Sequence, residues 1–154
     1  MPRTVTVAAA GVALVFSGLS AGAVESTYKA TSTATPEAVW KKIGDFCGIG
    51  TWHPVVEKCV LSDGGKVRTL SLKGGGTIVE KLVSRDDTAH NYTYEIVSSP
   101  LPVIDYVSTI KVVPEGSGSS IVWTGNYEAK GASDDDAKKT IDGVYKAGAD
   151  ALAK

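Results

Sequence analysis

The sequence has little net charge, few side chains that bind metals, and no long apolar run. Its formal net charge is −1 and no stripe of lysine or arginine is visible, which argues against a nucleic-acid partner. Two cysteines and two histidines lack the spacing of metal ligands, so no metal site is predicted. Gly74-Gly75-Gly76 is not followed by the Lys-Ser/Thr of a phosphate-binding loop. The sequence therefore predicts no cofactor.

The N-terminal segment has the pattern of a secretory signal. The uncharged apolar run Val5 to Leu19 follows Arg3 and is shorter than the ~20 residues that span a bilayer. Small residues, Ala21-Gly22-Ala23, come next. We therefore expect a signal peptide over 1–23, cleaved after Ala23, with an uncleaved anchor as the alternative. The expected product is one periplasmic or secreted domain over 24–154, without stable membrane insertion.

Export changes the interpretation of the two cysteines. Cys47 and Cys59 are an even number in an oxidising compartment, which favours a disulfide. A disulfide that closes a loop of this size would stabilise the fold by ~3 kcal/mol, because it lowers the conformational entropy of the unfolded chain. The alternative is two buried thiols in separate elements.

The order of predicted elements indicates an α+β fold. Val24 to Ala34 reads as a strand, and Thr35-Pro36 is a helix start, because a capping hydroxyl precedes proline at the first helical position. Short strands separated by turns then follow from Val55 to Ala129, and the amphipathic stretch Ser133 to Lys154 reads as a long helix. Because strands twist, an antiparallel sheet of this length must curl. One helix rich in small residues should leave a cavity on its concave side.

Two glycines in the terminal helix bear on that cavity. Gly143 and Gly148 each cost the helix roughly 1 kcal/mol relative to alanine. A glycine on the sheet-facing side is interpreted as leaving room for a ligand, with close packing of helix on sheet as an equal alternative. On the last strand, Trp123 and Tyr127 alternate with polar residues and should point inward.

This element order resembles the helix-grip fold of the START-like (SRPBCC) superfamily. That superfamily includes polyketide cyclase/dehydrase proteins, birch-pollen-allergen-like proteins and plant abscisic-acid receptors. The stretch Ile78 to Asp87 is similar to the "x-x-E-R-L-x-x-x-D-D" strand and turn of the receptors, with His90 and Asp105-Tyr106 in register. Gly74 to Thr77 lies where the family has a mobile loop at the cavity mouth. The resemblance implies a curved antiparallel sheet of six to seven strands around a long C-terminal helix, with two short helices between the first two strands.

The resemblance also implies site residues. Receptor positions that line the pocket correspond to Glu80, Tyr94, Tyr106 and Ser108. His53 lies where the receptors have a lysine that meets the ligand's carboxylate. The receptors' polar His-Arg-Leu latch is replaced by Leu101-Pro102-Val103, so hormone sensing and phosphatase inhibition are not inferred.

Glu80 is the one candidate catalytic residue. Its same-face neighbours Ile78 and Leu82 are apolar, and desolvation raises the pKa of a carboxyl group. A three-residue turn at Lys73 to Gly75 would instead place Arg68 opposite Glu80 as its ion-pair partner. A polar contact to a ligand, a structural ion pair and acid–base catalysis all stay open.

Aromatic residues complete the predicted site, because such side chains form the walls of apolar pockets. Ordinary core filling is the alternative for each ring. The predicted ligand-binding residues are Trp52, His53, Glu80, Tyr94, Tyr106, Ser108, Trp123, Tyr127 and Tyr145.

Three functions are consistent with these features. The first is an exported binder or carrier of a small hydrophobic molecule, which needs no catalytic pair. The second is an enzyme resembling polyketide cyclases or dehydratases that uses Glu80, alone or with His53, to move protons. The third is an accessory protein that binds a periplasmic enzyme or another macromolecule.

Overall fold

The computed structural model describes residues 22–154. The predicted signal peptide therefore lies outside the described residues, apart from Gly22 and Ala23. The described chain contains seven strands and three α-helices, and these are β1 Val24–Ser32, α1 Pro36–Ile43, α2 Ile49–Trp52, β2 Val56–Ser62, β3 Val67–Leu72, β4 Thr77–Asp86, β5 Asn91–Ser98, β6 Val103–Glu115, β7 Gly118–Ala129 and α3 Asp134–Ala153.

The strands form one antiparallel sheet in the order β1-β7-β6-β5-β4-β3-β2. Strands β2 to β7 follow one another through tight turns, and β1 closes the far edge by pairing with β7. Helix α3 packs mainly against β1 and β7, on the concave side of the sheet. The helix-grip architecture expected from the element order is confirmed.

Local sequence explains where the helices begin. The Thr35 hydroxyl accepts a hydrogen bond from the Ala38 amide, and Pro36 occupies the first turn of α1. The Ser133 hydroxyl caps α3 in the same way, and three aspartates in the first turn complement the helix dipole. Within residues 22–154, no helix is both long and apolar enough to cross a bilayer.

Glycines let α3 approach the sheet closely. A Cβ atom on Gly148 would lie 2.6 Å from the rings of both His53 and Trp123, and one on Gly125 would collide with the Tyr145 hydroxyl. The expectation that Gly148 leaves room for a ligand is therefore wrong, because aromatic rings fill that space. Gly143 is exposed and has no atom within 4 Å of its Cβ position.

Strands β5 and β6 separate near the loop that joins them. They pair only from Asn91–Lys111 to Glu95–Val107, and the pairing of β6 with β7 shifts register between Ile104 and Val107. Asp105, in this bulge, has φ of 53°. Beyond Glu95 and before Val107 the two strands diverge, so the sheet has a gap beside the Ser99–Pro102 loop.

Two glycine substitutions in α3 separate packing from helix propensity. We expect Gly148→Ala to lower the free energy of unfolding by about 1–3 kcal/mol, because the added methyl group overpacks the interface with His53 and Trp123. Gly143→Ala is the matched control and should raise stability by about 0.5–1 kcal/mol, because it only removes backbone freedom. Urea denaturation measures both. Equal effects of the two substitutions would contradict the packing assigned to Gly148.

Candidate ligand-binding cavity

A cavity of about 100 Å³ lies between the concave face of the sheet, α2 and α3. Its wall is almost entirely apolar. The lining residues are Ile49, His53, Val55, Val56, Leu70, Leu72, Ile78, Glu80, Tyr94, Ile96, Leu101, Tyr106, Trp123, Ile141 and Val144. The cavity is thus lined by α2, α3 and the six strands β2 to β7, with further contacts from the loop before β2 and the loop after β5.

One end of the cavity opens toward solvent. Its deep wall is buried, whereas the rim residues Val55, Leu72, Ile96, Leu101 and Val144 are only partly buried or exposed. The Gly74–Gly76 turn is separated from Leu72 by one residue, and a Cβ on Gly76 would lie 3.4 Å from Pro100. The glycine-rich turn and the β5–β6 loop therefore meet beside the opening, at the end of the fold where the sequence placed the cavity mouth.

The cavity is much smaller than a usual ligand pocket, which measures about 300–1,000 Å³. Aromatic rings occupy most of the concave interior. Trp123 stacks on Tyr145 with centroids 4.9 Å apart and planes 9° apart, and Tyr106 stacks on Tyr127 at 5.8 Å. The space between sheet and helix is thus largely filled, and one residual chamber connects to the rim.

The structure divides the predicted ligand-binding residues into two groups. Five of them line the cavity: His53, Glu80, Tyr94, Tyr106 and Trp123. Four lie behind its wall: Trp52, Ser108, Tyr127 and Tyr145. In the second group, the Trp52 indole N–H donates to the Ile43 carbonyl and the Tyr127 hydroxyl pairs with Ser26. The second group supports the shape of the wall and does not contact the cavity.

The buried hydroxyl groups form a chain with one possible direction. Ser108 donates to the Thr124 carbonyl, so Tyr145 must donate to Ser108. The Tyr106 hydroxyl, 2.7 Å from Tyr145, must then donate to Tyr145, and Tyr94, 3.2 Å from Tyr106, must donate to Tyr106. Burial raises the pKa of Tyr94 and Tyr106 well above the usual value, so both hydroxyls remain protonated.

The Trp123 indole N–H completes this chain. It lies 3.0 Å from the Ser108 hydroxyl and 3.2 Å from the Tyr94 hydroxyl, and it donates to both. Every donor in the chain is consequently used inside the protein. Buried phenols need hydrogen-bond partners, and here the partners are other side chains of this core and one backbone carbonyl.

The carboxylate of Glu80 forms a buried ion pair with Arg68. The two residues are direct cross-strand partners on β3 and β4, and Arg68 Nε donates to Glu80 Oε2 at 2.5 Å. Arg68 is fully buried and Glu80 is 5% exposed. Arg68 also donates to the Phe46 carbonyl at 2.7 Å, and its guanidinium lies 4.1 Å from the centre of the Phe46 ring. Of the alternatives open for Glu80, the structural ion pair is present.

Burial and pairing act in opposite directions on this pair. Burial raises the pKa of Glu80, and the adjacent guanidinium opposes that rise. For Arg68, burial is the largest influence and would by itself lower the pKa, but the Glu80 carboxylate together with Tyr92 and Tyr94 raises it overall. Arg68 therefore stays charged, and the pair carries no net charge when Glu80 is ionised.

His53 is a neutral structural residue at the cavity wall. Its Nε2 lies 3.1 Å from the Val144 carbonyl and its Nδ1 lies 3.4 Å from the Val55 amide. These partners require the tautomer in which Nε2–H donates and Nδ1 accepts. Burial lowers the pKa of His53 to about 4, with a smaller contribution from Arg68. The ring therefore joins α3 to the segment before β2, and it offers no positive charge at neutral pH.

A disulfide holds α2 against the sheet. Cys47 and Cys59 are bonded, with Cα atoms 5.5 Å apart, and Gly50 packs directly on Cys59. The bond fixes the segment that carries the Phe46 cover of the ion pair and the cavity residue Ile49. It therefore constrains one wall of the cavity.

A larger, open groove of about 980 Å³ runs outside the cavity along the gap between β5 and β6. The exposed side chains of Val97, Ile104 and Val107 border it. Ile96, Leu101 and Tyr106 line both the groove and the cavity. The loop residue Leu101 thus lies between the chamber and the outer surface.

Several cavity residues were absent from the sequence prediction. The apolar wall from β3, β4 and α3 consists of Leu70, Leu72, Ile78, Ile141 and Val144. Alternation along β3 and β4 places Leu70 and Leu72 on the face of Arg68, and Ile78 on the face of Glu80. That pattern could have assigned these three strand residues to the inner face of the sheet. It could not have shown which inner-face residues line the cavity and which are packed in the filled core.

The family profile for polyketide cyclase/dehydrase and lipid transport proteins matches residues 23–154. The chain belongs to this family. The match spans all seven strands and three helices described above. A search among curated proteins found no significant match.

Solved structures agree with this assignment. The protein XoxI from Bacillus cereus is 35% identical, with a TM-score of 0.81 over 84% of this chain and 93% of XoxI. An uncharacterised protein from Bacillus thuringiensis is 34% identical, with a TM-score of 0.80 over 84% of this chain and 96% of its own length. The Zhui aromatase/cyclase from Streptomyces sp. R1128 is 17% identical, with a TM-score of 0.70 over 86% and 92%, respectively. This last likeness concerns the fold alone.

Substitutions at the ion pair should be strongly non-additive. We expect Arg68→Met alone to cost about 3–5 kcal/mol, because it leaves the Glu80 carboxylate buried without a partner. The double substitution Arg68→Met/Glu80→Leu replaces both charges by apolar groups and should be more stable than the single variant. Urea denaturation of wild type and the variants measures the coupling. A double variant less stable than Arg68→Met would refute this account.

His53 should make the protein sensitive to acid. The pKa is about 4 in the folded state and about 6.5 in an unfolded chain, so the unfolded state binds the extra proton first. Stability attributable to His53 is fully present above pH 6.5 and is lost as the pH falls toward 4, by up to about 3 kcal/mol. Denaturant titrations at several pH values should show this slope.

His53→Gln is the test variant for that slope, because the glutamine amide can still donate to the Val144 carbonyl but does not titrate. The variant should lose less stability than wild type between pH 6.5 and 4. An unchanged slope would mean that other groups cause the acid sensitivity.

Proposed function

We propose that the protein is exported and binds a small hydrophobic molecule in the cavity between the sheet and α3. The observation that carries this proposal is the residual apolar chamber with a rim open to solvent. Membership of a family described by lipid transport as well as cyclase activity supports an apolar ligand. Because the chamber measures about 100 Å³, the ligand is a very small molecule or one end of a longer one.

The state of Glu80 favours binding over catalysis. A general acid or base must exchange its proton with the substrate, whereas this carboxylate is held by a buried guanidinium. His53 is the other titratable group of acid–base type at the wall, and both of its ring nitrogens have protein partners. A cyclase or dehydratase reaction is therefore the weaker hypothesis.

The disulfide supports the proposed export. Such bonds persist in oxidising compartments such as the periplasm and are rare in a reducing cytosol.

A second candidate function is an accessory role toward another macromolecule. The groove beside the β5–β6 loop favours it, because Val97, Ile104 and Val107 are each more than 40% exposed there. The Pro100-Leu101-Pro102 segment lines the same groove.

Native mass spectrometry of the protein purified from its own host tests the main proposal. The expected species begins at Val24, and its mass is lower by two hydrogen atoms because the disulfide is formed. It carries a small apolar molecule that is released on collisional activation in the mass spectrometer. We expect Leu72→Trp, which places an indole at the rim, to reduce the bound fraction at least tenfold.

Val83→Trp is the matched control, because Val83 is 55% exposed and does not line the cavity. It should retain the molecule. A host-purified protein that is always free of small molecules would contradict the binding proposal, and a chain that still begins at Met1 would contradict cleavage after Ala23.

A further inference from the structure

The polar atoms around the cavity differ in what they can still bind. Five of the lining side chains carry nitrogen or oxygen: His53, Glu80, Tyr94, Tyr106 and Trp123. Whether each can donate or accept a further hydrogen bond decides which ligands the chamber can hold, because a buried polar group without a partner is costly.

The donors at this wall are all in use. His53 donates to the Val144 carbonyl, and Trp123 donates to Tyr94 and Ser108. The directional hydroxyl chain also commits the protons of Tyr94 and Tyr106. Among the described residues, no side-chain donor at the cavity wall is left for a ligand.

An acceptor at the wall is available. Arg68 holds Oε2 of Glu80, while Oε1 takes no hydrogen bond from any described residue. Oε1 also differs from the fully enclosed unpartnered atoms of the described chain, which are Arg68 Nη2, Arg85 Nη1 and Ser120 Oγ. Since Glu80 lines the cavity and is 5% exposed, this second oxygen faces the chamber.

We propose that the cavity selects neutral ligands with a hydrogen-bond donor, such as an alcohol or a phenol, and rejects carboxylates. A ligand hydroxyl would donate to Glu80 Oε1 while its apolar part contacts the Leu70, Ile78 and Ile141 side chains. A carboxylate would find no donor and would face the Glu80 oxygen. A cation gains little, because Arg68 already neutralises Glu80. This inference rests on the proposed binding function and defines its ligand class.

Phenol, benzene and benzoate test the proposal, because they share one ring and carry a hydroxyl, no polar group and a carboxylate, respectively. Benzene enters engineered apolar cavities of about 150 Å³, so one ring, with an edge at the open rim, suits this slightly smaller chamber. Backbone amide chemical shifts of the mature protein, titrated at neutral pH, give each dissociation constant. We expect phenol to bind about tenfold more tightly than benzene, and at least tenfold more tightly than benzoate.

The Arg68→Met/Glu80→Leu variant shows whether Glu80 causes the preference. It removes the acceptor and keeps the wall apolar, so phenol and benzene should then bind within about twofold of each other. Benzene or benzoate binding wild type as tightly as phenol would overturn the donor-selective ligand class and leave the cavity proposal standing. A preference for phenol that persists in the variant would also overturn it. Failure of all three probes to shift cavity residues would overturn the binding function itself.

Discussion

The stack of Trp123 on Tyr145 determines how much space remains between the sheet and its helix. These rings come from β7 and α3 and lie almost parallel, with centroids 4.9 Å apart. They fit only because Gly125 and Gly148 have no side chain where the Tyr145 hydroxyl and the Trp123 ring lie. The inner end of the concave surface is consequently solid, and the open chamber is confined to the end near the glycine-rich turn.

The ion pair at the border of this chamber affects both stability and selectivity. Removing two charges from water is expensive, and the pair is tolerated because Arg68 also reaches the Phe46 carbonyl and lies against its ring. The disulfide positions Phe46 through the adjacent Cys47. One covalent crosslink, one aromatic cover and one salt bridge thus act together around the single acidic group of the cavity.

The fold could be predicted from sequence because its determinants are local. Alternation on β7, turn glycines and the Ser133 cap each specify an element from a few neighbouring residues. The Arg68–Glu80 register also followed from counting across one short turn. The role of Gly148 could not be predicted, because it depends on rings contributed by distant segments. The same limit applies to the cavity volume, which is the small difference between the large space enclosed by the sheet and the side chains that fill it.

The hydroxyl chain fixes the direction of the hydrogen bonds in the tyrosine-rich interior. A phenol hydroxyl can ordinarily donate or accept a hydrogen bond, so a cavity lined by tyrosines would not distinguish ligands that donate from ligands that accept. Here each O–H dipole points away from the Tyr94 end and toward the Thr124 carbonyl. The oxygens of Tyr94, Tyr106 and Glu80 at the cavity wall can therefore only accept a further hydrogen bond. For the two phenols this restriction is determined by the Thr124 carbonyl at the far end of the hydroxyl chain, and not by residues that a ligand would touch.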